Sequence, residues 1–168
     1  MAHDFFDGEL GVAASDATLC RYFSTPAARS PFLPHPMTIT RANATATKRG
    51  PADYFTGTVW LDELTVAPFA SDVRAVRVTF APGARTAWHT HPYGQLLQIT
   101  AGVGRVQKVG GPVTEVLPGD VIWFEPGERH WHGAAPQHAM VHLAVQRANE
   151  AGQTATWLEQ VSDADYAA

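Results

Sequence analysis

Hydrophobic and polar residues alternate along short segments of the chain, and glycine or proline separates each segment from the next. A period of two residues is typical of a β-strand with one buried face, and β-branched and aromatic residues are frequent in these segments. We therefore predict ten strands, at residues 57–61, 73–80, 87–91, 95–100, 104–109, 113–117, 120–124, 130–133, 140–146 and 154–159. Many short strands with regularly spaced turns indicate an all-β barrel or sandwich.

The two ends of the chain depart from this pattern. Residues 1–36 have no period and carry four prolines between positions 24 and 36, which predicts an appended N-terminal arm, either mobile or part of an interface. Residues 37–168 then form the barrel domain, with 41–50 as a polar lead-in. Near the C-terminus, Ser162-Asp163-Ala164-Asp165 can cap one short helical turn.

Composition narrows the class of partner. Of 168 residues, 45% are hydrophobic and 17% charged, as expected for one globular domain. The formal net charge of -4 argues against nucleic acid or an anionic membrane as partner, because no basic stripe is present to neutralise phosphates. No segment approaches the length of a membrane span. We expect a small-molecule substrate and a homo-oligomer, either a dimer or a tetramer.

Cysteine usage and the N-terminal residues bear on the compartment. Cys20 is the single cysteine, so an intramolecular disulfide is excluded and a reducing compartment is favoured. The first twenty residues carry four acidic side chains and no Lys or Arg, the opposite of a secretory signal. These features predict a cytoplasmic protein.

Four side chains form a candidate metal site. His89 and His91 are one residue apart in a predicted strand, so they point to the same face. Gln95 lies four residues after His91, so it points to the same face if the break at 92–94 does not reverse the alternation of side chains. His130 follows a Pro-Gly turn in a second segment bracketed by glycines. Three imidazoles and one amide oxygen from neighbouring strands are suitable ligands for a divalent metal.

The segment around the first histidines resembles the first motif of the cupin superfamily. That motif reads G-x5-H-x-H-x3-E-x6-G, and the chain fits every spacing from Gly83 to Gly102, with Gln95 in the place of the glutamate. Because glycines, histidines and spacing agree together, the resemblance is specific. It covers about residues 73–146.

The second segment resembles the second cupin motif, G-x5-P-x-G-x2-H-x3-N. Gly119, Gly127 and His130 match it, whereas Pro126 is displaced by one position and Ala134 stands where asparagine is usual. The two motifs together imply a single-domain cupin. Its fold is all-β, a double-stranded β-helix or jelly-roll-like barrel, here with the N-terminal arm and the short C-terminal helical turn.

From residue 50 to residue 166 the chain is similar to the small cupins that act as manganese-dependent hydroxynitrile lyases. The segments GPADYFTGTV, PGARTAWHTHP, PGERHWHGAAP and MVHLA carry this similarity. It implies a Mn2+ ion, with Fe2+, Ni2+ or Zn2+ as substitutes, bound by His89, His91, Gln95 and His130. It also implies a catalytic role for His142 and cleavage of aromatic cyanohydrins of the mandelonitrile kind, with R selectivity.

The residue types favour one kind of chemistry. Because all four candidate ligands are neutral, a bound divalent ion would keep its full charge, which favours Lewis-acid work over redox cycling. The same charge disfavours protonation of His142, so His142 can act as a general base towards a substrate hydroxyl. His132 shares the parity of His130 and is a second candidate beside the cavity. The alternatives are a metal-dependent dioxygenase or isomerase on the same scaffold, and a non-catalytic cupin that binds a small ligand.

Strand parity also predicts the pocket wall. Met140 and Gln146 share one face of their strand with His142, and Val76 and Val78 share one face of the strand at 73–80. We expect these four residues to line the substrate pocket. The tryptophans at positions 88, 123 and 131 are expected to pack between the sheet layers.

Overall fold

A computed structural model describes residues 39–42, 44–64 and 72–167. The predicted arm at 1–36 lies outside these residues, so the division into arm and barrel domain stays a prediction. Of the described helices, none is long and apolar enough to cross a membrane.

Thirteen strands and one helix are present in the described part of the chain. The strands are β1 Lys48–Arg49, β2 Phe55–Thr56, β3 Val59–Glu63, β4 Val73–Phe80, β5 Arg85–Thr86, β6 His89–Thr90, β7 Gln95–Gly102, β8 Gly104–Lys108, β9 Thr114–Val116, β10 Val121–Phe124, β11 His130–Ala134, β12 Met140–Arg147 and β13 Thr156–Trp157. The helix, α1, spans Asp163–Ala167. The all-β prediction is confirmed, and each of the ten predicted segments overlaps an observed strand.

The strands form two antiparallel sheets. The first has the order β1-β3-β4-β12-β7-β10, and the second has the order β13-β6-β11-β5-β2, with β8 pairing to β11 and β9 pairing to β8. β12 lies between β4 and β7, and it pairs with both along nearly its whole length. β11 similarly contacts β5, β6 and β8. These two central strands carry three residues of the candidate site, His130, His132 and His142.

The core lies between the inward faces of the two sheets. Phe80, Leu97, Ile99 and Met140 are at most 1% exposed and belong to one apolar cluster. Each of these side chains occupies an alternate position of β4, β7 or β12, as the period-two pattern predicts. Burying such a side chain typically contributes about 1.5–3 kcal/mol, so this cluster stabilises the barrel that carries the site.

A second apolar cluster fixes the C-terminal segment. Trp88 and Trp131 pack there with Val161 and Tyr166, and the Tyr166 hydroxyl donates to the Ala134 carbonyl at 2.7 Å. The helical turn predicted from Ser162 is present, because the Ser162 hydroxyl accepts from the Asp165 N–H at 3.0 Å.

The prediction for Trp123 is wrong. Its side chain is 52% exposed, because Ile122 and Phe124 take the inward positions of β10 and Trp123 points outward. The lead-in at 41–50 is also more ordered than predicted at its end, where β1 pairs with β3.

Candidate metal centre and active site

Three of the candidate ligands come together through one strand pair. His89 on β6 and His130 on β11 are direct partners in the antiparallel register. Their rings lie 4.3 Å apart, and the His91 ring lies 5.1 Å from His89 and 5.5 Å from His130. All three side chains are nearly or fully buried. The predicted convergence of these histidines is therefore present in the fold.

Backbone carbonyls fix the tautomer of each of the three rings. A carbonyl oxygen can only accept, so each Nδ1 carries the proton: His89 donates to Ala87 at 2.9 Å, His91 to Thr154 at 2.6 Å and His130 to Glu128 at 2.8 Å. Every Nε2 is then left with a free lone pair. This arrangement, a carbonyl behind the ring and a lone pair in front, is the usual one for a histidine that binds a metal.

Gln95 completes the cluster from β7. The turn before it passes through Gly94, where φ is +79° and a Cβ would lie 2.6 Å from the Phe124 carbonyl oxygen. This glycine turn keeps Gln95 on the same side as His91. The Gln95 Nε2 donates to Gln146 Oε1 at 3.3 Å, which turns Gln95 Oε1 towards His130 Nε2 at 3.2 Å.

Two unprotonated acceptors therefore face each other, His130 Nε2 and Gln95 Oε1. The His91 Nε2 is also buried and has no hydrogen-bond partner among the described residues. Lone pairs directed at one another in a buried site are costly unless a cation lies between them. The residues present therefore fit a divalent metal ion.

A second set of nitrogens also meets the distance requirement of a metal site. One ring nitrogen from each of His89, His130 and His132 lies within 4.8 Å of the others, so this group can hold a metal. His132 differs from the other histidines in its surroundings, because its Nδ1 faces another imidazole rather than a carbonyl. The two possible ligand sets share His89 and His130. The first set adds His91 and Gln95, whereas the second adds His132. Replacing His91 or His132 should therefore have different effects on metal binding in the two cases.

His132 and His142 form a pair beside this cluster. His142 projects inward from β12, and its Nε2 lies 3.2 Å from His132 Nδ1, so one proton is shared between the two rings. The other nitrogen of each ring, His142 Nδ1 and His132 Nε2, is buried and lacks a partner among the described residues. Phe80 packs against both rings, at 5.5 Å and 5.9 Å.

A cavity of about 310 Å³ opens in front of both groups. His89, His91 and Gln95 line it together with His132 and His142. The remaining wall is mainly apolar and includes Tyr54, Phe55, Leu61, Val76, Val78, Ala144 and Trp157. This volume suits a small organic substrate.

Comparison with known proteins gives the family. Residues 76–145 match the Cupin domain family, a range that begins within β4 and ends two residues before the end of β12. Over 130 residues the chain is 55% identical to a protein named (R)-mandelonitrile lyase from Granulicella tundricola, covering 77% of this chain and 98% of that one. The chain belongs to the cupin family.

Solved structures agree with the cupin fold. A cupin-like protein from Thermotoga maritima is 39% identical, with a TM-score of 0.66 over 70% of this chain and 89% of that chain. A polyketide cyclase from Streptomyces resistomycificus is 18% identical, with a TM-score of 0.59 over 77% of this chain and 90% of that chain, and shows the likeness of fold alone. The cupin barrel predicted from the two motifs is confirmed.

Burial keeps the site histidines of this cupin neutral. It lowers the pKa of His130 to about 4 and that of His142 to about 3. Burial also lowers the pKa of His91, and it holds the pKa values of His89 and His132 well below the usual range, with neighbouring imidazoles adding to the effect. Neutral imidazoles are the form that can bind a metal or accept a proton.

These shifts predict how stability depends on pH. The folded-state pKa values lie below the unfolded value of about 6.5, so the unfolded chain binds more protons as pH falls from 6.5 towards 4. Stability is therefore complete above pH 6.5 and is lost on acidification, by roughly 1.4 kcal/mol per pH unit for each such histidine. For metal-free protein, urea unfolding at pH 7 and pH 5 should give a clearly lower free energy of unfolding at pH 5. Equal free energies of unfolding at the two pH values would contradict the burial of these histidines in their neutral form.

One predicted pocket residue is misplaced. Met140 is fully buried in the core and does not line the cavity. It pairs with Phe80 across β12 and β4, one inward position deeper than His142, so it shares the face but not the depth. Val76, Val78 and Gln146 line the cavity, and their contact with substrate stays a prediction.

Sequence reasoning missed the aromatic wall and the support behind His91. Trp157 on β13 lies 4.7 Å from the His89 ring and stacks on Tyr54 at 4.7 Å and 11°. Phe55 lies 5.7 Å from Trp157. These residues come from opposite ends of the barrel sequence and share no motif, so only the fold brings them together. The Thr154 carbonyl, which accepts a hydrogen bond from His91, is a backbone group, so the residue type at position 154 could not identify it.

Proposed function

We propose that this cupin is a hydroxynitrile lyase, a carbon–carbon lyase that reversibly cleaves aromatic cyanohydrins to an aldehyde and hydrogen cyanide. The observation that carries the proposal is a neutral, buried pair, His132 and His142, beside a cluster suited to a metal in one mainly apolar cavity. The 55% identity to a protein named (R)-mandelonitrile lyase supports the same reaction.

The metal centre of the proposal uses the predicted ligands. His89, His91 and His130 would bind through Nε2 and Gln95 through Oε1, because these atoms have the free lone pairs. We propose Mn2+ as the ion, as the similarity to the small manganese-dependent cupins implies, and the neutral ligand set would leave the charge of that ion intact. When bound, such an ion supplies a Lewis acid that stabilises the negative charge developing on the leaving cyanide.

His142 is proposed as the general base. With the shared proton on its Nε2 and donated to His132 Nδ1, the unpartnered Nδ1 of His142 is free to accept. It takes the proton of the substrate hydroxyl while the bond between the carbinol carbon and the nitrile carbon breaks. The electron pair of that bond leaves with cyanide, and the oxygen electrons form the aldehyde carbonyl.

The proton that His142 takes from the substrate is then passed on to the leaving group. Cyanide accepts the proton from His142 and departs as hydrogen cyanide, which returns His142 to its neutral state. The burial that lowers the pKa of His142 to about 3 also makes its protonated form a strong acid, so this return is favourable. The apolar wall excludes water, which strengthens each charge interaction during the cleavage.

The aromatic wall gives the proposed substrate its class. The stacked rings of Tyr54 and Trp157 contribute an aromatic surface to the cavity lining, to which the aliphatic side chains of Val76 and Val78 also belong. An aryl ring of the substrate can stack on this surface, a contact that contributes about 0.5–1.5 kcal/mol beyond the area it buries.

Tyr54→Leu tests this placement. The substitution removes a half-exposed ring from the mouth of the cavity without touching the histidines. We expect kcat/KM for mandelonitrile to fall by about 2- to 10-fold, the equivalent of one aromatic contact. The matched measurement is kcat/KM for an aliphatic cyanohydrin, which should stay near its original value. Equal losses for both substrates would show that Tyr54 does not select the aryl group.

The proposed reaction itself is tested by a cleavage assay. Purified protein is stripped with a chelator, divided, and assayed with mandelonitrile before and after addition of Mn2+, following benzaldehyde and cyanide separately. We expect equal amounts of both products and activity only in the reloaded sample. A reloaded protein that cleaves no cyanohydrin but consumes oxygen with diketones or catechols would be a dioxygenase instead. One that turns over neither would favour a ligand-binding role.

A further inference from the structure

The three histidines of the metal cluster differ in where their supporting carbonyl comes from. His89 and His130 each donate to a backbone carbonyl two residues earlier in their own segment of the chain. His91 donates instead to the carbonyl of Thr154 at 2.6 Å, and this residue lies 63 positions further along the chain. The orientation of the His91 ring therefore depends on the segment between β12 and β13, whereas the other two rings are supported locally.

A turn leads directly into this carbonyl, and the side chain of Asn149 organises it. We call residues 149–153 the Asn149 turn. Asn149 Oδ1 accepts from the backbone N–H groups two and four positions further on, at 3.0 Å and 2.9 Å, as in an Asx turn. The Asn149 N–H donates to the Gln153 carbonyl at 2.8 Å, and the Asn149 carbonyl accepts from the Gly152 N–H at 2.8 Å. Asn149 thus holds the peptide group that joins Gln153 to Thr154.

Two further features fix the position of Thr154. The Asn149 turn passes through Gly152 at a φ of +78°, a conformation that glycine adopts without steric cost. Among the described residues, no heavy atom lies within 4 Å of the place that a Cβ would take there, so the backbone conformation alone favours glycine. On its other side, Thr154 is followed by β13, which pairs with β6. The carbonyl behind His91 is therefore held from both directions along the chain.

The tautomer of His91 depends on this support. A neutral imidazole carries its proton on one of two nitrogens, and the carbonyl acceptor selects Nδ1. If that acceptor moves away, the ring can carry the proton on Nε2, where it blocks the lone pair that would bind a metal. The buried His91 Nε2 has no hydrogen-bond partner among the described residues, so it is available to a metal only while the proton stays on Nδ1.

We propose that Asn149 is a positioning residue for the metal centre, because its turn holds the Thr154 carbonyl where it keeps the proton of His91 on Nδ1. Asn149 is not one of the described residues that line the cavity, so it acts through Thr154. Thr154 and Ala155 do line the cavity, and the segment that supports the ligand therefore also forms part of the cavity wall. The inference rests on the proposed ligation by His91 and not on the lyase reaction.

The first test is the affinity for Mn2+, measured by calorimetric titration of the full chain after removal of metal with a chelator. Asn149→Ala removes the acceptor of two backbone N–H groups and should weaken Mn2+ binding by about tenfold, the lower end of the cost of losing a group that supports a ligand. Asn149→Asp keeps an acceptor oxygen at the same place and should restore most of the affinity. The matched control is Glu150→Ala, an exposed side chain of the same turn, which should leave the affinity unchanged.

The second test needs neither metal nor substrate. Proton–nitrogen NMR of labelled imidazoles in the metal-free protein at neutral pH reports which ring nitrogen carries the proton. We expect the His91 proton on Nδ1 in the wild type and partly on Nε2 in Asn149→Ala, with His89 and His130 unchanged because their acceptor carbonyls are local. Gly152→Ala strains the turn through its backbone alone and should give the same result, so it covers the case in which Asn149→Ala does not fold.

The two tests together decide the role of Asn149. Wild-type Mn2+ affinity in a folded Asn149→Ala protein would overturn the proposal. A loss of affinity with an unchanged His91 tautomer would overturn it too, since Asn149 would then act by another route, and so would a change in all three rings, which would show a general loosening of the site. A wild type that binds no Mn2+ would remove the metal centre and this inference with it. One that binds Mn2+ but cleaves no cyanohydrin would contradict the lyase proposal alone.

Discussion

Replacing His130 by alanine is expected to remove the metal from the protein and to abolish cyanohydrin cleavage with it. His130 occupies the centre of the cluster, since its ring lies 4.3 Å from His89 and 5.5 Å from His91, and its Nε2 faces Gln95 Oε1 at 3.2 Å. It also belongs to both possible ligand sets. Loss of a residue that only supports a ligand costs about 10- to 100-fold in metal affinity, so loss of this ligand should cost more.

The measurement is metal content by elemental analysis beside the rate of mandelonitrile cleavage. The matched control is His138→Ala, because His138 is an exposed histidine in the loop before β12 and should keep both metal and rate. His91→Ala and His132→Ala then separate the two ligand sets. We expect His91→Ala to lose metal and His132→Ala to retain it. A His130→Ala protein that binds Mn2+ fully and remains active would remove the basis of the proposed centre.

The fold was largely accessible from the sequence because its strands have one buried face. β4 was predicted with its observed bounds, Val73–Phe80, since its alternation runs through eight residues. β1, β2 and β5 were missed, because each has only two residues and lies outside a longer alternating segment. β6 and β13 are equally short but lie within such segments. Trp123 was misassigned for another reason: its side chain is apolar, yet it occupies an outward position of β10.

The candidate site was accessible where the motif spacing fixes the strand face. His89, His91, Gln95 and His130 were named from parity and glycine brackets, and the fold brings all four together; their role as ligands is still a proposal. Met140 was misplaced because parity determines the face of a strand and not the depth along it.

Contacts between distant segments were not accessible. The hydrogen bond from Gln95 to Gln146 joins residues 51 positions apart, and the bond from His91 to the Thr154 carbonyl joins residues 63 positions apart. A backbone carbonyl has the same chemistry at every residue, so no sequence signal could have selected Thr154. The orientation of the metal cluster therefore depends on information that only the folded chain provides.

Replacing His142 by alanine should separate the base from the ligands. In the proposal, all four ligand atoms lie on other residues, so the variant is expected to retain its metal. The lost imidazole is the group that accepts the hydroxyl proton, and loss of a general base typically lowers the rate by about a hundred- to ten-thousand-fold. We expect a fall of that size in kcat for mandelonitrile, with metal content near one per chain in both proteins.

The pair with His132 makes this prediction specific. His142→Ala leaves His132 Nδ1 without its partner at 3.2 Å, and His132 can then accept a proton from a water in the vacated space. Residual cleavage should therefore fall further in the double variant His142→Ala, His132→Ala, at unchanged metal content. If His142→Ala is metal-free, His142 is needed to hold the ion and is not simply a base. If it is metal-loaded and fully active, the proton goes to a different group. In that case, His132→Ala alone should lower the rate of cleavage.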